Sequence, residues 1–588
     1  MKKKFAKTIK VMFHGGIGDT ERSLTGSCNE IFIEFTDGTF ATILVDLGAF
    51  QGLGLEFNKE LDFIPSEIDA VILTHGHNDH VGRLPMLFNT EQKKAFKGKI
   101  YATELTKKVS LLSLNDSANI MKTQFEKEER LYRMKLKDLK DAREFVDANT
   151  KGGVVRNGKG CRLAQSGVQV DKTELKKKQN QLKTLGITCH QDIIEHLKKD
   201  EPTVPLFTED HVTAAISRIK PIEYEETTKI LDGSGIIIRL VNAGHIAGSA
   251  SVIIKIPVGS KQNKTLLFSG DIGNLLPKDA QADFRSRESR PFGNVVIPKL
   301  EKSSEKDDYF DAVFVETTYG GKGAHTPFNE GLEDFENSVI KASIKRKRLI
   351  IPCFALDRAQ KVLHYLCKLR KEGKFKGNIL VDSPLMQSFT NLYQENVFPD
   401  TIGENMIESP ETFTFLTKET RDQVISEQKG FYIILSSSGM ATGGPIMGYL
   451  EKYLADRQRT SFYFMGYMSE GTTGYKLIQK DCAIIYLPDS KKPIEVKARR
   501  KQFQFMSAHA DERGIWTWLR NLKVEKRSSA KLFLVHGDRE GSSLKIRQFL
   551  EARKQDKNTK SGVPWAMNNI IVPEISKSYV VYSKKTNL

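Results

Sequence analysis

The sequence predicts an α/β protein of two domains, and three observations carry that reading. Short apolar runs of strand length alternate with helix-patterned segments along most of the chain. Several of these runs end on a histidine or an aspartate beside glycine, as strand ends do when they present side chains to a shared cleft. With 588 residues the chain is long enough for two or more hydrophobic cores.

Composition narrows the class. Hydrophobic residues make up 39% and charged residues 28%, which suits a folded, water-exposed protein and not a disordered one. No apolar run approaches the roughly 18 to 20 residues of a membrane span, so no membrane partner is expected. The basic start Met1-Lys2-Lys3-Lys4 runs into His14-Gly15-Gly16 after a broken apolar stretch, too short for a signal-peptide core. Cys28, Cys161, Cys189, Cys353, Cys367 and Cys482 form no CxxC pair. Free thiols in a reducing compartment fit, so a cytoplasmic protein is expected, and cysteine drops out as a metal ligand. The net charge of +17 is compatible with a polyanionic partner, though a solvated basic surface would give the same number.

The strongest local signal is Thr74-His75-Gly76-His77-Asn78-Asp79-His80, after the strand-like run Val71-Ile72-Leu73. Three histidines and an aspartate in six residues are what zinc takes when thiolate is absent. Four further residues share the placement past an apolar run: Asp46 after Ile43-Leu44-Val45, His245 after Ile236 to Val241, Asp271 after Leu266-Leu267-Phe268, and His536 after Leu532 to Val535. Taken alone, a histidine at a strand end is more often a hydrogen-bonded structural residue, and an Asp-Gly neighbour a turn.

The order of these residues resembles the metallo-β-lactamase superfamily, whose pattern is Asp, HxHxDH, His, Asp and a late His. That resemblance implies an α/β/β/α sandwich and two Zn2+ per chain. One zinc would be held by His75, His77 and His245, the other by Asp79, His80 and His536. Asp271 would bridge them, and Asp46 would orient the cluster. Thr25-Gly26-Ser27-Cys28 is similar to the family's early strand-to-turn segment.

Further segments resemble the β-CASP branch. Asp311 to Gly320, with Glu316, is similar to its motif A, Ser507-Ala508-His509-Ala510-Asp511 to motif B, and Leu534 to Asp538 to motif C. Glu316 and His509 are separated by 192 residues, the size of an inserted α/β domain. The resemblance thus divides the chain into a metallo-β-lactamase domain at 1–318 and 506–588 and a β-CASP domain at 319–505. Histidine at motif C, here His536, is the mark of RNA-cutting members, whereas Artemis-like DNA-cutting members usually carry an apolar residue. The Glu-Thr-Thr-Tyr-Gly form is similar to bacterial and archaeal relatives of the mRNA 3′-end cleavage endonuclease. The implied activity is zinc-dependent hydrolysis of RNA, most simply single-stranded, by endo- or 5′-exonuclease action. A bridging hydroxide would be the nucleophile, since metal binding lowers the pKa of water toward ~7. His509, held by Glu316, would be the general acid, against the plainer reading of a structural ion pair. The motif A segment and family-like loops at Ile351 to Gln360 and Ser436 to Pro445 make Tyr319, Arg358, Ser438 and Gly439 candidate RNA contacts. A homodimer is compatible with the resemblance.

One segment, about 120–210, departs from the family pattern. Met121 to Val146 reads as helix, 149–168 as a glycine-bearing loop, and Lys172 to Leu185 and Thr188 to Lys199 as two further helices. Residues 131–190 hold 14 Lys/Arg and 6 Asp/Glu, so 14 − 6 = +8. An RNA-guiding arm and a solvated helical excursion both fit. Two rivals stand beside the ribonuclease reading: a hydrolase of a small-molecule ester, thioester or lactam on the same fold, and a non-catalytic scaffold. The full set of ligand-type residues argues against the second, and motifs A to C argue against the first.

Overall fold

Alternating burial along the strands decides the layers. In strand Ala312–Glu316, Phe314 enters one core while Val313 and Val315 enter another, because successive strand side chains point to opposite faces. The computed structural model describes residues 4–18, 25–51, 54–89, 95–150, 172–274, 298–299, 309–345, 348–396, 413–466, 468, 471–488, 490, 492–522, 530–555 and 569–584.

Two seven-stranded sheets form the metallo-β-lactamase sandwich. The first runs, in spatial order, Ser578–Ser583, Ala6–Gly15, Cys28–Phe35, Phe40–Val45, Ala70–Ile72, Lys99–Ala102 and Ile219–Pro221. The second runs Ile570–Ile571, Lys531–Val535, Ala312–Glu316, Asn263–Phe268, Ala250–Pro257, Ile236–Asn242 and Thr228–Ile230. Between the sheets, Ile9, Phe13, Ile31 and Ile43 pack with Ile238, Val252, Phe314 and Phe533. Phe268, Phe314 and Phe533, on three adjacent strands, stack with centroids 4.2 and 4.7 Å apart and planes within 4° and 6°. On the outer face of the second sheet, Val313, Val315, Leu532 and Leu534 meet Trp518 and Leu519 of helix Glu512–Arg520 and Ile546 and Leu550 of helix Leu544–Gln555.

The inserted β-CASP sheet has six strands, all parallel: Thr414–Phe415, Asn378–Asp382, Tyr432–Ser436, Arg348–Pro352, Thr460–Met465 and Arg499–Phe503. Its central strands are apolar without alternation because both faces are covered. Leu349, Ile351, Ile433 and Leu435 lie under helices Phe328–Ile344, Arg358–Lys371 and Pro384–Asn396, and Ile350 and Ile434 under helix Ile446–Tyr453. Ile246 and Ala247, from the sandwich, belong to the first of these two cores, and the Ala247 amide donates to the Tyr393 hydroxyl at 3.4 Å.

Residues Asp116–Glu209 form a compact unit of their own. Helix Glu104–Thr150 enters it, and helices Lys172–Thr184 and His190–Leu197 follow, close to the three helical segments expected; the expected loop lies mostly outside the described residues. Leu139, Ala142 and Val146, one helical face, pack with Leu182, Ile193 and Leu197. The charge of this unit differs from that of the 131–190 window. Over 116–209 there are 19 Lys/Arg and 15 Asp/Glu, so 19 − 15 = +4, because acids such as Glu126, Glu128, Asp192 and Glu195 flank the window. Several cations are also engaged, with Arg133 on Glu129, Arg143 on Asp147 and Lys135 on Asp200. The charge argument for an RNA-guiding arm is correspondingly weaker.

No helix among the described residues is long and apolar enough to cross a membrane. The five described cysteines are free. Phe314→Ala, which empties the centre of the aromatic stack, is expected to cost about 3–5 kcal/mol of stability, read as a lower denaturant midpoint with an unchanged slope; a shift under about 1 kcal/mol would contradict this account of the core.

Candidate metal centre and active site

The strand directions bring the polar residues to one edge. Strands Phe40–Val45 and Ala70–Ile72 run parallel, as do Asn263–Phe268, Ala312–Glu316 and Lys531–Val535. Asp46, His75, Asp271, Glu316 and His536 therefore emerge where strands end together. His245 follows strand Ile236–Asn242, whose end lies against the start of Ala250–Pro257. The loops must approach closely: a Cβ at Gly48 would meet the Asp79 carbonyl oxygen at 1.7 Å, so only glycine fits there. Asp46 and His536 themselves hold positive φ angles of 64° and 50°, an uncommon conformation for residues with a Cβ.

Three overlapping groups result. His75, His77, His245 and Asp271 form one, Asp79, His80 and His536 a second, and Asp271, Glu316 and His509 a third, each able to turn ligand atoms to a common point. Asp271 joins them. Its Oδ2 lies 3.5 Å from both His75 Nε2 and His245 Nε2, and its Oδ1 lies 3.4 Å from His80 Nε2 and 3.5 Å from His536 Nδ1.

Hydrogen bonds behind the rings set their orientation. His80 Nδ1–H donates to Asp46 Oδ2 at 2.8 Å, and the Thr74 hydroxyl donates to the same oxygen at 2.9 Å. Thr74 Oγ1 can then accept from His75 Nδ1–H at 3.1 Å. His245 Nδ1–H donates to the Ala508 carbonyl at 3.0 Å. Thr318 Oγ1 donates to the His536 carbonyl and stands 3.1 Å from His536 Nδ1. Each contact frees the far ring nitrogen, which for His75, His80 and His245 faces inward.

The charges of the metal-free cluster follow. Burial, and then His80, hold His75 well below the ordinary histidine range; burial likewise drives His245 well below it. At His80 burial opposes the charge, but Asp271 and Asp46 outweigh it and hold the ring well above. Burial also opposes charge at His536, where Asp271 and Asp79 raise it, and at Asp271, which the surrounding histidines hold low. His509, buried but facing Glu316 and Asp271, is pushed up to about 9.

These residues fit metal ions. The Asp271 Oδ1 atom is buried with no hydrogen-bond partner. Ring nitrogens point at one another, His75 to His77 at 3.0 Å, His77 to His245 at 3.2 Å and His80 to His536 at 3.2 Å. Such approaches gain little between neutral rings and are repulsive between charged ones such as His80 and His536, unless a metal ion shares their lone pairs. Imidazole and carboxylate donors in these numbers suit zinc.

Next to the cluster, His509 Nδ1 lies 3.2 and 3.1 Å from the two Glu316 oxygens. Glu316 is fully buried, and its Oε1 also accepts the Ile272 amide at 2.6 Å. Tyr319 packs near His509, ring centroids 6.0 Å apart. The other three candidate RNA contacts are not in the cluster. Arg358 opens a β-CASP helix and donates to the Met465 carbonyl at 3.2 Å. Ser438 and Gly439 follow strand Tyr432–Ser436, where Ser438 Oγ accepts the Thr442 amide at 3.0 Å. Sequence reasoning passed over Thr74, Thr318 and His325. His325 stands nine residues beyond Glu316, and its Nε2 donates to the His509 carbonyl at 3.0 Å.

Comparison with known proteins matches three regions of the chain. Residues 25–156 match the metallo-beta-lactamase superfamily, residues 359–477 the Beta-Casp domain, and residues 493–550 the Zn-dependent metallo-hydrolase RNA specificity domain. The chain thus carries a metallo-β-lactamase superfamily region together with a β-CASP domain and an RNA specificity domain, the parts of a Zn-dependent metallo-hydrolase. It is 24% identical over 522 residues to Ribonuclease TTHA0252 of Thermus thermophilus, covering 87% of this chain and 91% of the relative. It is 24% identical over 551 residues to Transcription termination factor FttA of Methanocaldococcus jannaschii, covering 90% and 67%. An RNase J-like protein of the same organism is 27% identical over 370 residues, covering 59% and 76%. The chain spans 63% of the FttA protein of Methanococcus maripaludis.

Zinc needs neutral imidazole, so the raised His80 and His536 must lose protons when metal enters. Apparent zinc affinity is expected to rise with pH through neutrality. Titration calorimetry in two buffers of different ionisation enthalpy should detect net proton release; equal heats in both would contradict the assignment.

Proposed function

We propose that this chain is a ribonuclease that hydrolyses RNA phosphodiester bonds at the strand-edge cluster, with two zinc ions. The contact of His509 with Glu316, directly beside Asp271, is the observation that carries the reading. A proton donor thereby stands next to the metal-type ligands, within the residues 493–550 that match the RNA specificity domain.

His75, His77 and His245 would hold one ion and Asp79, His80 and His536 the other, with Asp271 between them and Asp46 fixing His80 and, through Thr74, His75. When bound, zinc supplies Lewis acidity, lowering the pKa of water and offsetting charge on phosphoryl oxygens. This chain's own groups do the rest. With Nδ1 turned to Glu316, His509 offers its Nε2–H to the leaving sugar oxygen as the P–O bond breaks. Glu316 favours the charged ring before transfer and holds its direction. Asp271 adds to the same field.

Tyr319, close to His509, would contact the substrate nearest the chemistry, and Arg358, Ser438 and Gly439 would contact RNA farther along the β-CASP domain. The domain division is 1–318 and 506–588 for the metallo-β-lactamase part and 319–505 for the β-CASP part. Single-stranded RNA suits a site in which one phosphodiester must reach buried ligands, and a cytoplasmic location agrees with the free thiols. The names of the relatives, a ribonuclease and an RNase J-like protein, support the activity.

Two tests follow. Asp79→Ala and His80→Ala are expected to lose zinc, measured by elemental analysis, and to abolish cleavage of end-labelled RNA while keeping the fold; near wild-type turnover with full zinc would refute their assignment. His509→Ala is expected to keep its zinc and lose about 10² to 10⁴-fold in the single-turnover rate. Loss of zinc in that variant would instead make His509 a ligand.

A further inference from the structure

His325 lies in no motif used above, yet it contacts the loop that carries His509 at two points. Its ring Nε2–H donates to the His509 carbonyl at 3.0 Å, and its backbone N–H donates to Asp511 Oδ2 at 3.0 Å. Asp511 is committed on its other side. Its Oδ1 accepts the Gly514 amide at 2.7 Å and caps helix Glu512–Arg520, whose Trp518 and Leu519 are anchored in the sandwich core. Tyr319 packs edge-on against the His325 ring with centroids 4.5 Å apart, which fixes the ring plane. Burial keeps the ring toward its neutral form, against the pull of the His509 carbonyl.

Other bonds also hold the backbone of the His509 loop, among them the His509 amide, which donates to the Ser507 hydroxyl at 3.3 Å. The Ala510 amide donates to the Ile272 carbonyl at 2.7 Å, and the Ala508 carbonyl accepts from His245. Between them, the His509 carbonyl takes the His325 ring and, at the longer distance of 3.4 Å, the Ser507 hydroxyl. The peptide that follows the His509 Cα is therefore held on both edges, its N–H by the Ile272 carbonyl and its carbonyl by His325. Rotation of that peptide would swing the imidazole, whose Nδ1 must stay on Glu316 for its Nε2–H to keep one direction.

We propose that His325 is a positioning residue that aims the His509 imidazole by clamping its carbonyl. The proposal rests on the reading of His509 as proton donor to the leaving oxygen. It does not place His325 on substrate or on metal. A displacement of the donor by about 1 Å can cost on the order of 10²-fold in rate.

The test separates aim from general damage by choice of leaving group. RNA leaves as a sugar alkoxide and needs the proton. Bis(p-nitrophenyl) phosphate leaves as a phenolate, which is stable without one. Rates on both substrates are measured for wild type, His509→Ala, His325→Ala and His325→Gln, with zinc content and thermal midpoint for each. We expect His509→Ala and His325→Ala both to lower the ratio of RNA rate to aryl-ester rate, the second by about 10- to 100-fold, and His325→Gln, which keeps an N–H donor, to recover part of it. An unchanged ratio in His325→Ala beside a lowered ratio in His509→Ala would overturn the proposal and leave the ribonuclease reading standing. An unchanged ratio in His509→Ala would overturn the proton-donor reading and the proposal with it. Should His325→Ala not fold, His325→Gln and His325→Asn decide: the proposal requires that whichever amide reaches the His509 carbonyl keeps the higher ratio, and equal loss on both substrates in both variants overturns it.

Discussion

The Asp271 carboxylate organises the site. One oxygen lies 3.5 Å from His75 and His245, the other 3.4 and 3.5 Å from His80 and His536, and the residue is almost fully buried. A buried carboxylate with an oxygen that makes no hydrogen bond is costly unless cations compensate it. Raised His80 and His536 supply part of that compensation in the metal-free chain, and zinc would supply more. The strand ends, the tight glycine at position 48 and the ring-orienting hydrogen bonds all serve to bring four histidines around one acid.

The folding consequence is long-range. His75 and His80 come from the first sheet, His245, Asp271 and His536 from the second, and His536 stands 456 residues from His80 in sequence. The stack of Phe268, Phe314 and Phe533 ties together the three adjacent strands that precede Asp271, Glu316 and His536. Packing beneath the sheet therefore sets the spacing of the polar groups at its edge. The inserted domain has a share in this, since Ile246 and Ala247, next to His245, are buried in its core. A change in that core can reach His245, a proposed metal ligand, through two residues of chain.

Much of this was legible in the sequence, for physical reasons that differ by residue. His75 to His80 announce themselves because tight loops let ligands be close in sequence as well as in space. Asp46, His245, Asp271 and His536 could be found because each follows a strand, and strands are apolar runs. Glu316 and His509 needed family resemblance, since a buried glutamate at a strand end has no pattern of its own. Thr74, Thr318 and His325 act through hydrogen bonds to other site residues, and threonine or histidine near a motif is too common to single out. The +8 of residues 131–190 falls to +4 over the 116–209 unit because acids on either side of that window belong to the same unit. Arg358 opens a β-CASP helix and Ser438 and Gly439 follow a strand of the β-CASP sheet, none of them among the ligand-type groups, so their link to RNA rests on resemblance.

The most direct measurement is made on Asp271→Asn, which keeps the size of the side chain and removes its charge. Zinc per chain and cleavage of single-stranded RNA are determined on the same preparation. If one carboxylate couples both halves of the cluster and the cluster is where RNA is cut, zinc content falls at both sites and cleavage is lost, with the fold retained by circular dichroism. Wild-type rates of RNA cleavage from that variant would contradict the account.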